Sequence, residues 1–383
     1  MSSRLLLVPA DTDPIVQAFE AGDHPRVDFL ELARELDADL LSWSDVERAG
    51  GFTGLLRRLA GRNTALAWLG WRRRPRTVFS TAENVGMAFA FLLRLSRRRC
   101  THVMIGHKLS TPRKARLFKA LGLGRGVHGV VAYTSQQTDF AVRELELPEA
   151  WCHRIHFHAD TGFFTPPDPL ELPAPECEGL VSVGRELRDY PTLVTALQGL
   201  DAGATLVGGS PWSRREDQLA GMQLPDRVQL RSGLSYRELA DAVGQAALAV
   251  VPLQDVDSPA GVTAIFEALA CGTPVVTSAT AGIADSLEDL PGVVTVPPGD
   301  ADALRDVLER LLADEAARER MGREGREVVH ATRSLDLFVQ RVRHVVQSAE
   351  RDQAAAHGNA ASGRRSPWQL FQAAWPVISA RLW

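Results

Sequence analysis

At 383 residues the chain exceeds one ordinary domain and suits two. Hydrophobic residues at 45% and charged residues at 23% describe a globular chain with a normal core, and exclude a disordered or fibrous one. No stretch of about twenty apolar residues runs uninterrupted, so a membrane-spanning helix is not expected.

The chain opens with MSSRLLLVPADTD, whose apolar run is too short for a signal-peptide core and is followed at once by Asp11 and Asp13. It reads as a first buried strand. RLLLVPA, DADLLSW, RTVFST, THVMIGH, GVVAYTS and HRIHFHAD follow as strands, with VDFLELAREL and NVGMAFAFLLRL as helices between them. Such alternation predicts a parallel sheet covered on both faces, here a first domain over residues 1–165. The Pro-rich, acidic stretch TPPDPLELPAPECEG then breaks the pattern and marks a linker over 166–178. After it the alternation restarts. LVSVGRE, ATLVGGS, RVQLRSG, ALAVVPL, PVVTSA and VVTVPPG are strand-like; PTLVTALQGL, SYRELADAVG, Ala264–Cys271 and DADALRDVLERLLAD are helical. They give a second domain over 179–350, so the expected architecture is α/β: two doubly wound parallel-sheet domains facing one another across a cleft. Small residues in QAAAHGNAASGRRS suggest a flexible linker over 351–366. In the last segment, 367–383, Trp368, Phe371, Trp375, Ile378 and Leu382 share one helix face, which must dock on the first domain or on a membrane.

The formal net charge of −4 hides an asymmetry. Between Arg48 and Val130 many arginines and lysines face a single acid, Glu83. Such a field attracts a phosphorylated acceptor or an anionic membrane surface, unless acids elsewhere in the fold balance it. Few aromatics interleave with the bases and no recognised binding module accompanies them, which argues against nucleic acid. Cys100, Cys152, Cys177 and Cys271 are widely spaced, with no CxxC pair; this argues against a zinc site or a disulfide framework and favours a reducing, cytoplasmic compartment. No acidic pair of the kind that holds a metal is evident.

Chemistry concentrates in Gly261–Thr277, GVTAIFEALACGTPVVT. Glu267 is the one charged residue of a short apolar helix between two strands, and Gly272 with Pro274 stops that helix. A carboxylate set in apolar surroundings is costly without a partner. It either bonds a neighbouring loop or is aimed into the cleft to accept hydrogen bonds from vicinal hydroxyls, as of a ribose. The Ala260–Thr263 loop at the helix start would then lie beside a phosphate.

These residues resemble the signature of family 4 retaining glycosyltransferases (glycosyl transferases group 1), which have the GT-B fold of two Rossmann-like domains. Glu267 with Ala268-Leu269-Ala270-Cys271-Gly272-Thr273-Pro274-Val275-Val276 matches the second half of the motif; the first glutamate falls at Pro259, with Asp257 as a nearby substitute. Gly184-Arg185 and Arg188 match the strand-end segment to which the family assigns the donor diphosphate, and Ser232-Gly233-Leu234-Ser235 the loop that meets the nucleotide base. Asp160–Pro166 and Val296–Asp300 are further matches. The resemblance implies a nucleotide-diphosphate-sugar donor held by Gly184, Gly233, Leu234, Gly261, Val262, Thr263 and Asp257. Arg185, Arg188 and Glu267 would sit at the reacting centre, without metal or other cofactor. Cations fixed near the departing diphosphate would stabilise its growing charge.

The first domain would supply the acceptor pocket. His107 and Lys108 follow the strand THVMI, and Glu83 and Asn84 open a helix after RTVFST. The resemblance implies a histidine near the reacting sugar, which is His107 unless that ring is a structural one satisfied by backbone; Glu83 either faces the cleft or pairs with an arginine. Gly122–Gly126 follows a helix and precedes a strand, the reverse of a dinucleotide-binding order. The expected activity is sugar transfer with retention of configuration to a small-molecule or lipid-linked acceptor. Its rivals are an epimerase or hydrolase of the same fold, and a non-catalytic protein that binds nucleotide sugars or an anionic surface, which Pro259 keeps open. Association with the inner face of a membrane would accompany a lipid-linked acceptor.

Overall fold

The computed structural model describes residues 3–96, 98–166, 179–184, 186–208 and 223–362. The first half runs β1 (Arg4–Val8), α1 (Asp13–Glu20), α2 (Asp28–Glu35), β2 (Ala38–Ser42), α3 (Trp43–Arg48), α4 (Gly51–Arg72) and β3 (Thr77–Ser80). It continues with α5 (Glu83–Ser96), β4 (Thr101–Ile105), α6 (Pro112–Ala120), β5 (Gly129–Ala132), α7 (Ser135–Arg143) and β6 (Cys152–Arg154). The second half runs β7 (Leu180–Val183), α8 (Tyr190–Leu197), β8 (Ala204–Val207), β9 (Val228–Arg231), α9 (Tyr236–Gly244), β10 (Leu248–Val251) and α10 (Val262–Ala270). It ends with β11 (Val275–Ser278), α11 (Ala284–Leu287), β12 (Val293–Val296), α12 (Ala301–Ala313), α13 (Glu315–Thr332) and α14 (Leu335–Ser362).

The twelve strands of the described residues fall on the runs expected from the sequence, although HRIHFHAD contributes only its first two residues to β6. They form two six-stranded parallel sheets, ordered β2-β1-β3-β4-β5-β6 and β12-β11-β10-β7-β8-β9. β3, β5, β8, β10 and β11 are buried at every residue, because helices cover both faces of each sheet. In the first sheet α4 and α5 pack on one face with Leu5, Leu7 and Val78, while α2 and α14 pack on the other with Leu6, Phe79 and Val103. Buried His102 is structural: its Nδ1–H donates to the Gly126 carbonyl at 2.9 Å, its Nε2 meets Ser80 Oγ at 3.0 Å, and burial pushes its pKa down to about 3.

Two boundaries differ from expectation. Residues 353–362 continue α14 instead of forming a flexible linker; their alanines favour helix once a long preceding helix has met the nucleation cost. That helix also leaves the second domain before residue 350. Leu335, Phe338, Val342, Val345 and Val346 complete the first domain's core, and Glu350 accepts hydrogen bonds from Arg4 and Thr77. The crossing is made near Ala159 and Ser334, which form a β-bridge. Of the linker 166–178 only Pro166 is described, and the helix over 367–383 lies outside the described residues.

The domains meet through loops that follow the carboxyl ends of their strands. Asp285 accepts the Ser135 backbone N–H at 2.6 Å and its hydroxyl at 2.8 Å, Lys108 Nζ lies 3.5 Å from Asp257, and the rings of His24 and Tyr236 are 4.4 Å apart. The carboxyl edges of the two sheets therefore face each other across the cleft.

Candidate donor and acceptor site

In the second sheet the strand order reverses between β7 and β10, and ligands of open α/β sheets bind outside the carboxyl ends at such a point. Arg188 occupies it. After β7 the chain turns through Gly184 (φ 107°) and Leu187 (φ 57°), and Arg188 forms a β-bridge with Leu253 beyond β10. Asp189 caps α8 through Thr192 N, and the Tyr190 hydroxyl donates to the Gly184 carbonyl. The guanidinium is folded back inside this turn: Nε donates to Val183 O at 3.0 Å and Nη1 to Glu186 O at 3.1 Å. It is buried, forms no ion pair among the described residues, and burial lowers its pKa against the pull of Tyr190, Glu186 and Glu267.

Two glycines make room for it. A Cβ on Gly184 would lie 2.5 Å from Arg188 Nη2. A Cβ on Gly261 (φ 80°) would meet Val251 Cγ1 at 2.9 Å, Leu253 Cδ2 at 3.0 Å and Arg188 Nη1 at 3.4 Å. Gly261 is the N-cap of α10, so the free backbone N–H groups of that helix start beside the guanidinium. The helix begins at Val262, two residues before the sequence pattern suggests, and ends at the expected left-handed Gly272 (φ 82°). Val262 is buried; Thr263, Ala264 and Glu267 form the open face of the helix. Burial pushes the Glu267 carboxyl up to about 8, with Arg188 pulling the other way, and it accepts no side-chain hydrogen bond among the described residues. A fixed cation, a helix N-terminus and an unfilled acceptor thus converge at the strand ends.

Gly233 (φ 74°) turns the chain into α9, whose N-terminus is closed by a reciprocal Ser235–Glu238 capping box, and Leu234 packs on the domain core. Asp257 is exposed on the cleft loop beside Lys108, and Pro259 is partly buried in that loop. A Cβ on Gly282 would lie 2.0 Å from Ser258 O, so close backbone approach holds the loop's other side. Arg185 lies outside the described residues.

On the acceptor side the assignments separate. His107 stands exposed at the end of β4; its Nε2–H donates to Thr81 O at 3.0 Å and its ring lies 5.3 Å from Tyr133. Lys108 and Asn84 are also exposed. Glu83 is not free to face an acceptor. It is buried, pairs with Lys114 Nζ at 2.5 Å and accepts the His107 backbone N–H at 3.0 Å. Burial pushes its pKa up, but Lys114 outweighs this and leaves it below the usual carboxylate range. Its place is to hold the His107 loop, because an acid buried in a basic stretch is stable only when paired. The partner is a lysine one helix away. Asp285 and Ser135, which join the domains, carried no signal beyond the Thr134 helix cap, since their pairing spans 150 residues.

Among the described residues no three His, Cys, Asp or Glu side chains stand close enough together to hold a metal ion, and no helix is long and apolar enough to cross a membrane. Cys100, Cys152 and Cys271 are unpaired.

Comparison with solved structures fixes the architecture. Over 90% of this chain and 98% of the other, the sucrose-phosphate synthase (tll1590) of Thermosynechococcus elongatus superposes with a TM-score of 0.65 at 19% identity. Anabaena Alr3699/HepE in complex with UDP and glucose gives 0.67 at 15% identity, over 91% of this chain and 100% of that one. The chain has the GT-B fold. Within it, residues 181–328 match the family model described as glycosyl transferases group 1, a span that holds Gly184, Arg188, Gly261 and Glu267. A D-inositol 3-phosphate glycosyltransferase of Xylanimonas cellulosilytica is 34% identical over 217 residues, 50% of each chain. A GDP-mannose-dependent monoacylated alpha-(1-6)-phosphatidylinositol monomannoside mannosyltransferase of Corynebacterium glutamicum is 27% identical over 155 residues, 39% of this chain and 40% of the relative. The chain thus spans half or less of the length of these curated relatives.

Proposed function

We propose that this GT-B protein is a glycosyltransferase that moves a sugar, of the hexosyl class, from a nucleotide-diphosphate sugar to an acceptor hydroxyl with retention of configuration. The observation that carries the reading is the buried Arg188, which forms no ion pair among the described residues and is lodged between Gly184 and Gly261 with Glu267 close by. A guanidinium held this way needs an anion to offset its burial, and a diphosphate supplies one.

In this reading the diphosphate lies against Arg188 and the α10 N-terminus, with Arg185 adding a second cation. The ribose hydroxyls donate to Glu267, and the Gly233–Leu234 backbone faces the base. Asp257, Val262 and Thr263 border the donor sugar. As the bond from the sugar to the diphosphate breaks, the charge growing on the leaving group meets a cation that does not need to reorganise. The acceptor hydroxyl attacks the same sugar face, and the departing phosphate takes its proton. His107, held by Thr81 and Glu83, stands opposite with Lys108 and Asn84. The fixed cations take the part a metal could otherwise play, so the reading requires neither metal nor resident cofactor. The names of the two curated relatives, one acting on an inositol phosphate and one on a phosphatidylinositol glycoside, favour a phosphate-bearing polyol as acceptor, free or lipid-linked.

The test is a thermal-shift series with UDP, GDP, ADP, dTDP and their sugar conjugates, followed by assay of sugar transfer with the nucleotide selected. A ligand that binds only the folded state raises the melting temperature. Selective stabilisation that disappears in Arg188→Ala and Glu267→Ala is expected. No shift with any nucleotide, or an unchanged shift in both variants, would refute the donor site. Sugar release without an acceptor would favour a hydrolase.

A further inference from the structure

Donor chemistry leaves most of the first domain's arginines without a role. Between Arg48 and Val130 the single acid, Glu83, is taken by Lys114 at the start of α5. Three of the arginines gather at the other end of that helix. There α4 and α5 finish side by side, tied by the Trp71 Nε1–H, which donates to Ser96 Oγ at 3.0 Å. Their last turns, with the segments leading into β3 and β4, enclose a cavity of about 330 Å³. These are the amino ends of the strands, so the cavity opens at the pole opposite the cleft.

The cavity has an apolar wall and a cationic rim. Phe89 and Leu93 of α5, both buried, form the wall. The Arg98 guanidinium lies 3.6 Å from the Trp71 ring centre and donates to Trp71 O at 2.9 Å, which fixes a cation over the aromatic face. That bond answers a carbonyl left open at the C-terminus of α4, the ordinary use of an arginine in such a place. Arg74 and Arg99 have no such use. Both are exposed, and neither donates a side-chain hydrogen bond or forms an ion pair among the described residues. Arg74 also holds a left-handed backbone (φ 52°) after α4, where glycine would cost less. Three guanidiniums around one cavity repel one another until an anion enters between them.

We propose that this cavity is an effector site for a soluble phosphate monoester with an apolar, ring-bearing body. Three cations match a dianion better than a monocarboxylate, and guanidinium forks bind phosphate oxygens in pairs. The Phe89–Leu93 wall buries the body, which the cavity is large enough to admit. Occupation bears on the acceptor side of the cleft by two routes. Phe89 meets His102 of β4 edge-on at 5.0 Å, and β4 leads directly to His107. α5 itself is tightly held: a Cβ on Gly126 would lie 2.4 Å from Ala90 O, and one on Gly86 2.8 Å from Met104 Sδ. At the start of the same helix Glu83 accepts the His107 backbone N–H. The ligand therefore stabilises α5 and the His107 loop together. The proposal does not rest on the donor reading, and its test involves no nucleotide.

The test is isothermal titration calorimetry of the full chain with phenyl phosphate, beside inorganic phosphate and phenol at the same ionic strength. Phenyl phosphate should bind saturably, inorganic phosphate at least about tenfold more weakly, and phenol not measurably. Arg74→Glu with Arg99→Glu should lower the phenyl phosphate affinity about tenfold or more. Arg310→Glu with Arg320→Glu, the same charge change on exposed residues of α12 and α13, should leave it unaltered. Because the changed side chains are exposed, thermal melting should remain at the wild-type value. On binding, hydrogen exchange should slow in the last turns of α4 and α5 and in the His107 loop. No binding, equal binding of inorganic phosphate, affinity retained by Arg74→Glu with Arg99→Glu, or equal loss in the α12–α13 control would overturn the proposal. So would protection confined to Gly184–Arg188 and Gly261–Glu267, which would put the ligand in the cleft. Protection that stops short of the His107 loop would overturn the coupling to the acceptor side.

Discussion

Consider the exchange Glu267→Gln, which keeps the side chain's shape and removes its charge. In the unfolded chain this carboxyl titrates near its ordinary value of 4.5, whereas burial in the fold pushes it up to about 8. Between those values the unfolded chain has lost the proton that the folded one still holds. Raising the pH therefore favours unfolding; the penalty is absent below the lower value and complete above the upper one. At about 1.4 kcal/mol per pH unit the gap amounts to roughly 5 kcal/mol if nothing relieves it. Glu267 keeps part of its surface open to the cleft. Water there should reduce the effect to about 2–3 kcal/mol, or on the order of 5 °C or more for a domain of this size. The assay is thermal unfolding of wild type and variant without nucleotide, at about pH 5 and about pH 8.5. The variant should melt near wild type at the lower pH and well above it at the higher, while losing nucleotide-sugar binding at both. A melting difference that does not change with pH would show that Glu267 bears no such burial cost, and would remove the physical case for an acceptor waiting for hydroxyls.

Gly184→Ala places a methyl where Arg188 Nη2 lies, so donor affinity should fall at least about tenfold, with about 1–3 kcal/mol lost in melting experiments. Phe338→Ala, which empties the α14 contact with His158 and Tyr133, should cost about 3–5 kcal/mol and lower the first domain's transition, although the residue follows the second domain in sequence. Asp285→Ala removes the acceptor for Ser135 N and Oγ across the cleft. Small-angle scattering should then report a larger radius of gyration in the unliganded protein, with little change in either domain's melting. Glu83→Gln weakens the pair with Lys114; because the native carboxyl titrates below its ordinary range, wild type should hold its advantage above about pH 4.5 and lose it as the pH falls further, as unfolding scans would show.

The sequence by itself determined the strands, their parallel pairing and the residues at the centre of the proposed donor site. Strands buried on both faces must be continuously apolar, and a lone Glu267 between Phe266 and Ala268 is conspicuous against that background. Gly272 likewise announces its left-handed turn, because few other residues adopt one cheaply. Partners that are distant in sequence were not legible. Glu83 read as a cleft residue or as the partner of an arginine, and its actual link with Lys114 depends on how α5 and α6 pack. QAAAHGNAASGRRS reads as a linker in isolation, yet its first ten residues extend a helix that the first domain's core has already anchored. Only the fold could return α14 to the first domain, close Asp285 over Ser135 and turn α4 back at Gly61 to bring Phe52 against Trp68. Local patterns record what each segment must bury, whereas the choice of burying partner is made by the whole packed molecule.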